Sequence, residues 1–190
     1  MGEASPYYLA HPFVPERVHT VCPDVKLIVL LRDPVARAIS QHEHERKRGF
    51  EKLSLHEALH AECERIKGEV ARLADPGYRS YPYEHYTYVT RGLYADQLRC
   101  WFEHFPVSQL LILDTKQLRD DPAIVLNKVA KFLDVDQWKP NLTLAHNQGD
   151  YPKPIKLDVD WLRTRFEEPN RDLTTLLGRQ FSWSMMDGGT

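Results

Sequence analysis

The sequence has 190 residues, of which 42% are hydrophobic and 27% are charged, proportions close to the average for a globular domain with a sizeable core. A formal net charge of −2 argues against a general nucleic-acid or membrane-surface binder, because no field of one sign covers the molecule. No apolar run approaches the roughly 20 residues that span a bilayer, and the first residues lack the pattern of a signal peptide. We therefore expect a single cytoplasmic domain over residues 1–190.

The cysteines do not indicate a disulfide framework. Cys22, Cys63 and Cys100 are odd in number and widely spaced, and this spacing also fails to match a metal knuckle. We expect free thiols, buried or half-buried, in a reducing compartment.

The first elements in chain order are a short helix and a strand followed by a longer helix. Residues 16–21 have a helical pattern, and residues 26–31 (KLIVLL) form a continuous apolar run that predicts a strand buried on both faces. Asp33 is suited to cap the next helix, which we expect to run to about Lys47 and to end near Gly49.

The middle of the chain combines helices with an aromatic loop. Residues 53–73 predict a charged helix, with Ser54 and Glu57 in a capping-box spacing. Residues 75–90 are rich in aromatic and turn-forming residues and are too long for a plain connector, so they are a candidate binding loop. Residues 92–105 predict an amphipathic helix.

The last third of the sequence predicts one strand and further helices. Residues 109–113 (QLLIL) read as a second buried strand, and residues 121–133 as a helix. A Pro/Gly-rich loop follows at residues 146–156. Residues 157–177 predict one closing helix, or two helices broken at Pro169.

Strands separated by helices predict an α/β domain with a parallel sheet flanked by helices. Only two strands are clear in the sequence, and a two-stranded parallel sheet is thin because both of its faces need cover. We therefore expect the chain to correspond to the later part of a larger α/β domain that is incomplete at its N-terminus.

The junction after the first strand is a candidate anion site. Ligands of open α/β sheets sit at the carboxyl ends of strands, and Arg32 stands at such an end. The helix that follows offers free backbone N–H groups and the positive end of its dipole. An arginine in this place can hold a phosphate in bidentate fashion.

Helical geometry adds further polar residues to this junction. At 100° per residue, an arc of about 100° contains Arg37, Ser40, His44, Lys47 and Arg48. Ser40 lies under two turns from the helix start, and His44 is one turn further on. Such a stripe is also typical of the solvated face of an ordinary amphipathic helix.

Arg32 has a structural alternative as well. An arginine at a strand end often forms an ion pair, for which Asp33 and Glu16 are the nearest candidates in the sequence. The residues alone leave phosphate binding and ion pairing open.

Several ordered blocks carry a resemblance to a known family. They read GEASPYYL, VPERVHTVCPDVKLIVLLRDPVARAISQHEHERKRG, RGLYADQLRCWFEHFP, LLILDTKQLRDDPAIVLNKVAKFLDV, HNQGDYPKP and FEEPNRDLTTLLGRQFSW. In these blocks the chain resembles the sulfotransferases that use 3′-phosphoadenosine 5′-phosphosulfate (PAPS). It looks closest to the branch that contains the heparan sulfate N- and 3-O-sulfotransferases and their bacterial relatives.

The resemblance implies a fold and a role for the strand–helix junction. The fold would be like that of P-loop NTPases, and Arg32 and Ser40 would bind the 3′-phosphate of the nucleotide. His44 matches a histidine that the N-sulfotransferases carry near the reaction centre, which makes it the candidate catalytic residue. The alternative for His44 is a cap or a pair with Glu43 or Glu45.

A loop later in the chain matches a nucleotide-covering loop of the family. Relatives close over the nucleotide with a loop of Lys-Gly-Arg type, and this sequence has Asn147, Gln148 and Gly149 there instead. The resemblance therefore implies contacts from the backbone of Asn147 and Gly149 or from the side chain of Tyr151.

The start of the sequence departs from the family pattern. Relatives begin with a strand and a lysine-bearing loop that grips the 5′-phosphosulfate, and this chain begins about where their third major block does. Some relatives have a catalytic lysine where Ala4 stands here. We expect the chain to be N-terminally truncated, or its gene start to be misplaced, so that half of the donor site is missing.

The resemblance implies transfer of a sulfuryl group from PAPS, as co-substrate, to a hydroxyl or amine acceptor such as a glycan. The alternative is a truncated, non-catalytic remnant that binds the nucleotide or a partner. A related kinase is a weaker alternative, since no Gly-x-x-x-x-Gly-Lys-Ser/Thr loop is present.

Neither a metal nor a nucleic acid is implied, although His56 and His60 have the spacing to chelate a metal and equally that of a surface pair. The aromatic residues at 78–88 suit stacking on sugars or flat rings, and equally suit core packing.

Overall fold

The computed structural model describes residues 2–136 and 156–183. In this part of the chain two strands and nine helices follow one another, with single 3-10 turns at Thr90–Gly92 and Val107–Gln109. The strands are β1 (Leu27–Leu31) and β2 (Leu110–Asp114). The helices are α1 (Val14–Val21), α2 (Pro34–Lys47), α3 (Leu55–Arg65), α4 (Glu69–Arg72), α5 (Tyr81–His85), α6 (Tyr94–Phe102), α7 (Thr115–Asp120), α8 (Pro122–Leu133) and α9 (Lys156–Leu177).

The two strands are parallel neighbours. Their register pairs Leu27 with Leu110 and Leu31 with Asp114, so both strands end at the same edge of the sheet. Parallel strands need a crossover between them, and α2 to α6 provide it. The predicted α/β fold with a parallel sheet flanked by helices is confirmed.

α2 starts and ends as the sequence predicts. The Asp33 carboxylate accepts a hydrogen bond from the Val35 backbone N–H at 3.0 Å, and Pro34 occupies the first helical position. Gly49 follows the helix with a φ of 78°, a left-handed conformation that favours glycine, and the next N–H, of Phe50, returns to the carbonyl oxygen of Glu45 at 2.9 Å.

The predicted helix over residues 53–73 is two helices in the structure. The capping box of Ser54 and Glu57 is confirmed at the start of α3, but α3 ends at Arg65 and a glycine with a φ of 77°, Gly68, separates it from α4. This left-handed glycine turns the chain before the helical pattern of the sequence ends.

Short helices and a proline account for the other differences. α5 lies inside the predicted loop and α7 follows β2 directly; both are too short for their periodicity to identify them. α9 continues through Pro169 because Phe166 and Leu173, on either side of the proline, are fully buried and hold both halves against the core.

α9 joins the two hydrophobic clusters of the core. Leu173 belongs to the cluster that packs on β1, β2 and α6, while Leu162 and Phe166 belong to the cluster between α2, α3 and α9. Gly92 marks the tightest contact, since a Cβ there would lie 2.6 Å from Phe166 and 3.0 Å from Pro34. The start of α2 and the middle of α9 therefore both pack closely on the turn at Gly92.

β1 is buried on one face only, which corrects the prediction of a strand buried on both. Leu31 is 0% exposed, whereas Ile28 and Leu30, which point to the other face, are 43% and 45% exposed. An apolar run shows that a strand can be buried but not which of its faces has cover.

The three cysteines are free, as predicted. The expectation that they are buried is wrong for two of them, because Cys22 and Cys63 are exposed and only Cys100 is half-buried.

Candidate anion-binding site

The end of β1 fixes the backbone of Arg32. Leu31 is fully buried, and the carbonyl oxygen of Arg32 accepts a hydrogen bond of 2.9 Å from the Tyr94 hydroxyl on α6. Burial of this phenol raises the pKa of Tyr94, so it remains a neutral donor at physiological pH. Arg32 therefore leaves the sheet from an anchored position.

The side chain of Arg32 extends from that anchor into solvent. It is exposed and forms no hydrogen bond or ion pair with residues 2–136 or 156–183. The alternative ion pairs with Asp33 and Glu16 are not present, since the Asp33 carboxylate instead caps α2 through Val35. A guanidinium at the carboxyl end of a strand, beside a helix N-terminus, is available to an anionic ligand.

Ser40 is half-buried on α2, and its hydroxyl has no hydrogen-bond partner in the described part of the chain. Helical hydroxyls commonly bond to the carbonyl four residues earlier. Other helical hydroxyls of this protein do so, namely those of Thr20, Thr164, Thr174 and Thr175. The Ser40 hydroxyl forms no such bond, and it is open to a ligand.

Arg37 does not share this open surface, although the helical projection places it on the same stripe. Its guanidinium donates to Gln41 Oε1 at 2.7 Å and to the carbonyl oxygen of Tyr88. Burial lowers the pKa of Arg37 to about 10, which leaves it charged at neutral pH. Arg37 therefore holds α2 against the segment before α6.

His44 lies one turn beyond Ser40 and is exposed. The alternative pairs are not formed, because Glu45 is paired with His85 at 2.8 Å and Glu43 lies 3.5 Å from His42. Within the described residues, the imidazole of His44 has no side-chain partner. It is therefore accessible to a ligand that extends from Ser40 along α2.

Asp114, at the end of β2, lies at the same edge of the sheet as Arg32 and was not predicted from the sequence. It is 4% exposed, and its carboxylate accepts hydrogen bonds from the Lys116 N–H at 2.7 Å and from the Ser182 hydroxyl at 3.0 Å. Close by, Arg179 donates to the carbonyl oxygen of Ile112 at 2.5 Å. The end of β2 is thus closed by its own structural contacts. Only the aspartate directly before α7 signals this cap in the sequence.

The remaining predicted site residues, Asn147, Gly149 and Tyr151, lie outside the described residues. A cavity of about 560 Å³ between α6 and α9 is not an alternative for an anion, because its polar lining includes Asp96, Glu168 and Asp172 against Arg171.

His56 and His60 do not form a site of three or more metal ligands. His56 bonds to Asp158 at 2.8 Å, and His60 bonds to the carbonyl oxygen of His56 at 2.9 Å. No group of three or more His, Cys, Asp or Glu side chains in the described ranges could hold a metal ion. None of the helices described here is long and apolar enough to cross a membrane.

Comparison with known proteins identifies the family to which the chain belongs. A family model described as "Sulfotransferase domain" matches residues 9–151, which is most of the chain. The chain belongs to the sulfotransferase domain family.

The chain is similar to several individual sulfotransferases. The chain is 34% identical over 136 residues to the bifunctional heparan sulfate N-deacetylase/N-sulfotransferase 3 of Homo sapiens, covering 70% of this chain and 14% of that protein. It is 31% identical over 213 residues to the heparan sulfate glucosamine 3-O-sulfotransferase 6 of Mus musculus, covering 95% and 56%. The membrane-associated sulfotransferase kil1 of Dictyostelium discoideum is 24% identical over 255 residues, covering 96% and 53%.

A solved structure gives the same result at the level of the fold. The crystal structure of a sulfotransferase from Alicyclobacillus acidocaldarius matches with a TM-score of 0.72 and 27% identity, covering 95% of this chain and 66% of that one. This match confirms the predicted P-loop-like fold. The chain spans about half the length, or less, of the curated relatives that it matches.

Proposed function

We propose that this chain binds PAPS through its 3′-phosphate and takes part in transferring the sulfuryl group to a hydroxyl or amine of a carbohydrate acceptor. The observation that carries the proposal is the pair formed by Arg32 and Ser40. Both belong to α2 or its immediate start, and neither has a partner for its polar side chain in the described structure. Membership of the sulfotransferase domain family supports the nucleotide as the ligand.

The chemistry of the pair fits a phosphate. Arg32 offers a planar fork of N–H donors for two phosphate oxygens, and Ser40 offers one hydroxyl donor within two helical turns. The first turn of α2 adds the positive end of the helix dipole. The anchored backbone of Arg32 and the closely packed start of α2 hold these donors in place, which lowers the entropic cost of binding.

Sulfuryl transfer itself requires more than this pair. The acceptor oxygen or nitrogen forms a bond to sulfur, the bond from sulfur to the 5′-phosphate oxygen breaks, and a base takes the acceptor proton. Arg32 and Ser40 would bind and orient the donor rather than take part in bond making. His44, exposed one turn further along α2, is the residue that we place near the acceptor.

The names of the relatives support the acceptor class. Two of them are named for heparan sulfate, so a carbohydrate with hydroxyl and amine groups is the acceptor to test first. The cytoplasmic location stays a prediction.

One experiment separates transfer from binding alone. Calorimetry with 3′-phosphoadenosine 5′-phosphate (PAP) measures binding, and radiolabelled PAPS with N-deacetylated heparosan, which carries hydroxyl and free amine groups, as acceptor measures transfer. We expect both activities in the wild-type chain, and in Arg32→Ala we expect PAP binding weakened by about 10- to 100-fold with a matching loss of transfer. Binding without transfer would favour the non-catalytic alternative, and the absence of PAP binding would contradict the proposal.

The matched control is Arg46→Ala. Arg46 is exposed on α2 and lies about 120° around the helix from Ser40, so this variant loses the same charge as Arg32→Ala but away from the candidate site. We expect it to bind PAP as the wild type does.

A further inference from the structure

An aromatic surface lies where α2 ends. We call it the aromatic platform, and it consists of Phe50, Tyr81, His85 and Tyr86. The ring centroid of His85 is 4.3 Å from that of Tyr81 and 4.4 Å from that of Phe50, and the rings of Tyr81 and Tyr86 are 5.7 Å apart. Tyr81 is 46% exposed. The platform therefore presents an open ring that other rings support.

The neighbouring tyrosines show that this exposure is not general in the segment. Tyr83 is buried with its hydroxyl donating to the carbonyl oxygen of Ala10 at 3.0 Å, and Tyr88 is buried with its hydroxyl donating to Glu51 at 2.8 Å. Core packing thus explains Tyr83 and Tyr88. For these two residues it decides between the alternatives of ligand stacking and core packing that the sequence leaves open. It does not explain why the ring of Tyr81 faces solvent.

Buried polar contacts hold the platform in place. His85 Nδ1 lies 2.8 Å from Glu45 Oε2, and both side chains are buried. The Tyr86 hydroxyl donates to the carbonyl oxygen of Phe50 at 3.1 Å. An aromatic surface fixed in this way loses little conformational freedom when a ligand stacks on it.

Positive charge lies beside the platform. The Arg48 guanidinium lies 4.7 Å from the centre of the Phe50 ring. Lys52 follows two residues after Phe50 and is exposed. This basic edge occurs on a chain whose net charge is −2, so it is a local feature that favours an anionic ligand.

The platform continues the stripe that begins at the candidate anion site. Ser40, His44 and Arg48 are successive one-turn steps along α2, and Arg48 lies about 12 Å beyond Ser40 at a rise of 1.5 Å per residue. A nucleotide held by its 3′-phosphate carries its sulfuryl group on the 5′-phosphate, which is attached to another carbon of the ribose. The groups that lie beyond His44 at this end of α2 are Arg48 and, next to the Phe50 ring on which Arg48 lies, Tyr81.

We propose that the aromatic platform and Arg48 form an acceptor subsite for a carboxylate-bearing saccharide. The apolar face of a pyranose ring would stack on Tyr81, and a uronate carboxylate would pair with Arg48. The inference rests on the proposed function, because it assigns the acceptor side of the same site.

The test is the affinity of a heparosan hexasaccharide, an alternating polymer of glucuronate and N-acetylglucosamine, measured by calorimetry with PAP at saturation. Tyr81→Ala is expected to weaken binding about tenfold, and Tyr81→Phe to restore it to within about twofold of the wild type. Arg48→Ala is expected to weaken binding about five- to tenfold and to reduce its salt dependence. Arg46→Ala, on the opposite side of α2, is the control and should match the wild type.

The affinity for PAP separates the two proposals. If PAP fails to bind the wild type, the proposed function is contradicted. If PAP binds normally and the hexasaccharide either does not bind or binds equally to Tyr81→Ala and Arg48→Ala, the subsite is wrong. Preferential binding of a flat phenol such as 4-nitrophenol over the hexasaccharide would also overturn it.

Discussion

The two strand ends of the sheet lie side by side and have opposite chemistry. β1 is followed by Arg32, which is exposed and has no side-chain partner among the described residues, whereas β2 ends in Asp114, which is buried and accepts two hydrogen bonds. Both residues lie at the carboxyl end of a strand, with Asp114 opposite Leu31 and Arg32 one residue further, but one charge is open and the other is used to close the structure. Being at the carboxyl end of a strand therefore does not by itself make a residue part of a ligand site; an unsatisfied, accessible group is also needed.

The largest expected effect is on the open end. Arg32→Ala should weaken PAP binding about 10- to 100-fold, because charge-assisted hydrogen bonds to a phosphate contribute about 1.5–3 kcal/mol. Calorimetric titration measures this loss. The PAP affinity of Arg32→Lys should lie between those of the wild type and Arg32→Ala, since lysine keeps the charge but loses the bidentate fork. Thermal unfolding of both variants should match the wild type, and an unstable Arg32→Ala would indicate that the arginine is structural.

The opposite result is expected at the closed end. Asp114→Ala removes the acceptor for the Lys116 N–H and the Ser182 hydroxyl, so the free energy of unfolding should fall by about 1–3 kcal/mol. Urea denaturation measures this change. The folded fraction should still bind PAP with wild-type affinity. Asp120→Ala, which breaks only exposed pairs with Lys116 and Arg119, is the control and should change stability much less. A weaker affinity of folded Asp114→Ala for PAP would contradict the proposed difference between the ends of β1 and β2.

Ser40→Ala should have a smaller effect on PAP binding than Arg32→Ala. Loss of one hydroxyl donor to a phosphate should weaken PAP binding about five- to tenfold, while stability stays unchanged because the hydroxyl bonds to no described residue. Ser108→Ala, an exposed serine outside α2, is the matched control for titration and unfolding. An affinity equal to that of the wild type would remove Ser40 from the site.

The smallest effect on nucleotide binding is expected at His44. His44→Gln should bind PAP within about twofold of the wild type, because the residue lies one turn beyond the phosphate ligands. If the chain transfers sulfate, the same variant should lose turnover by about 10²-fold or more, the usual contribution of a proton-transferring group. A large loss of PAP affinity would place His44 at the phosphate instead.

The fold could be predicted where signals are local. The apolar run of β1, the Asp33 cap and Gly49 define the β1–α2 unit in the sequence, and the structure confirms each of them. The uncovered face of Ile28 and Leu30 was not predictable in this way, because it depends on which elements pack against β1. The break at Gly68 has a local cause in the glycine, but the helical periodicity on both sides of it predicts a single helix.

The candidate site shows the same division. The positions of Arg32, Ser40 and His44 follow from spacing and family resemblance, but their lack of partners is visible only in the structure. The helical wheel places Arg37 and His44 within 20° of each other, yet Arg37 is half-buried and bonded to the carbonyl oxygen of Tyr88, whereas His44 is exposed. Periodicity gives the face of a helix, whereas tertiary contacts decide which part of that face stays open.

The most direct test of the account compares two nucleotides on two proteins. PAP and adenosine 5′-phosphate, which lacks the 3′-phosphate, are titrated into the wild type and into Arg32→Ala. The account predicts that the wild type prefers PAP by about tenfold or more and that Arg32→Ala loses nearly all of this preference. A wild type that binds both nucleotides equally, or an Arg32→Ala variant that keeps the full preference, would contradict it.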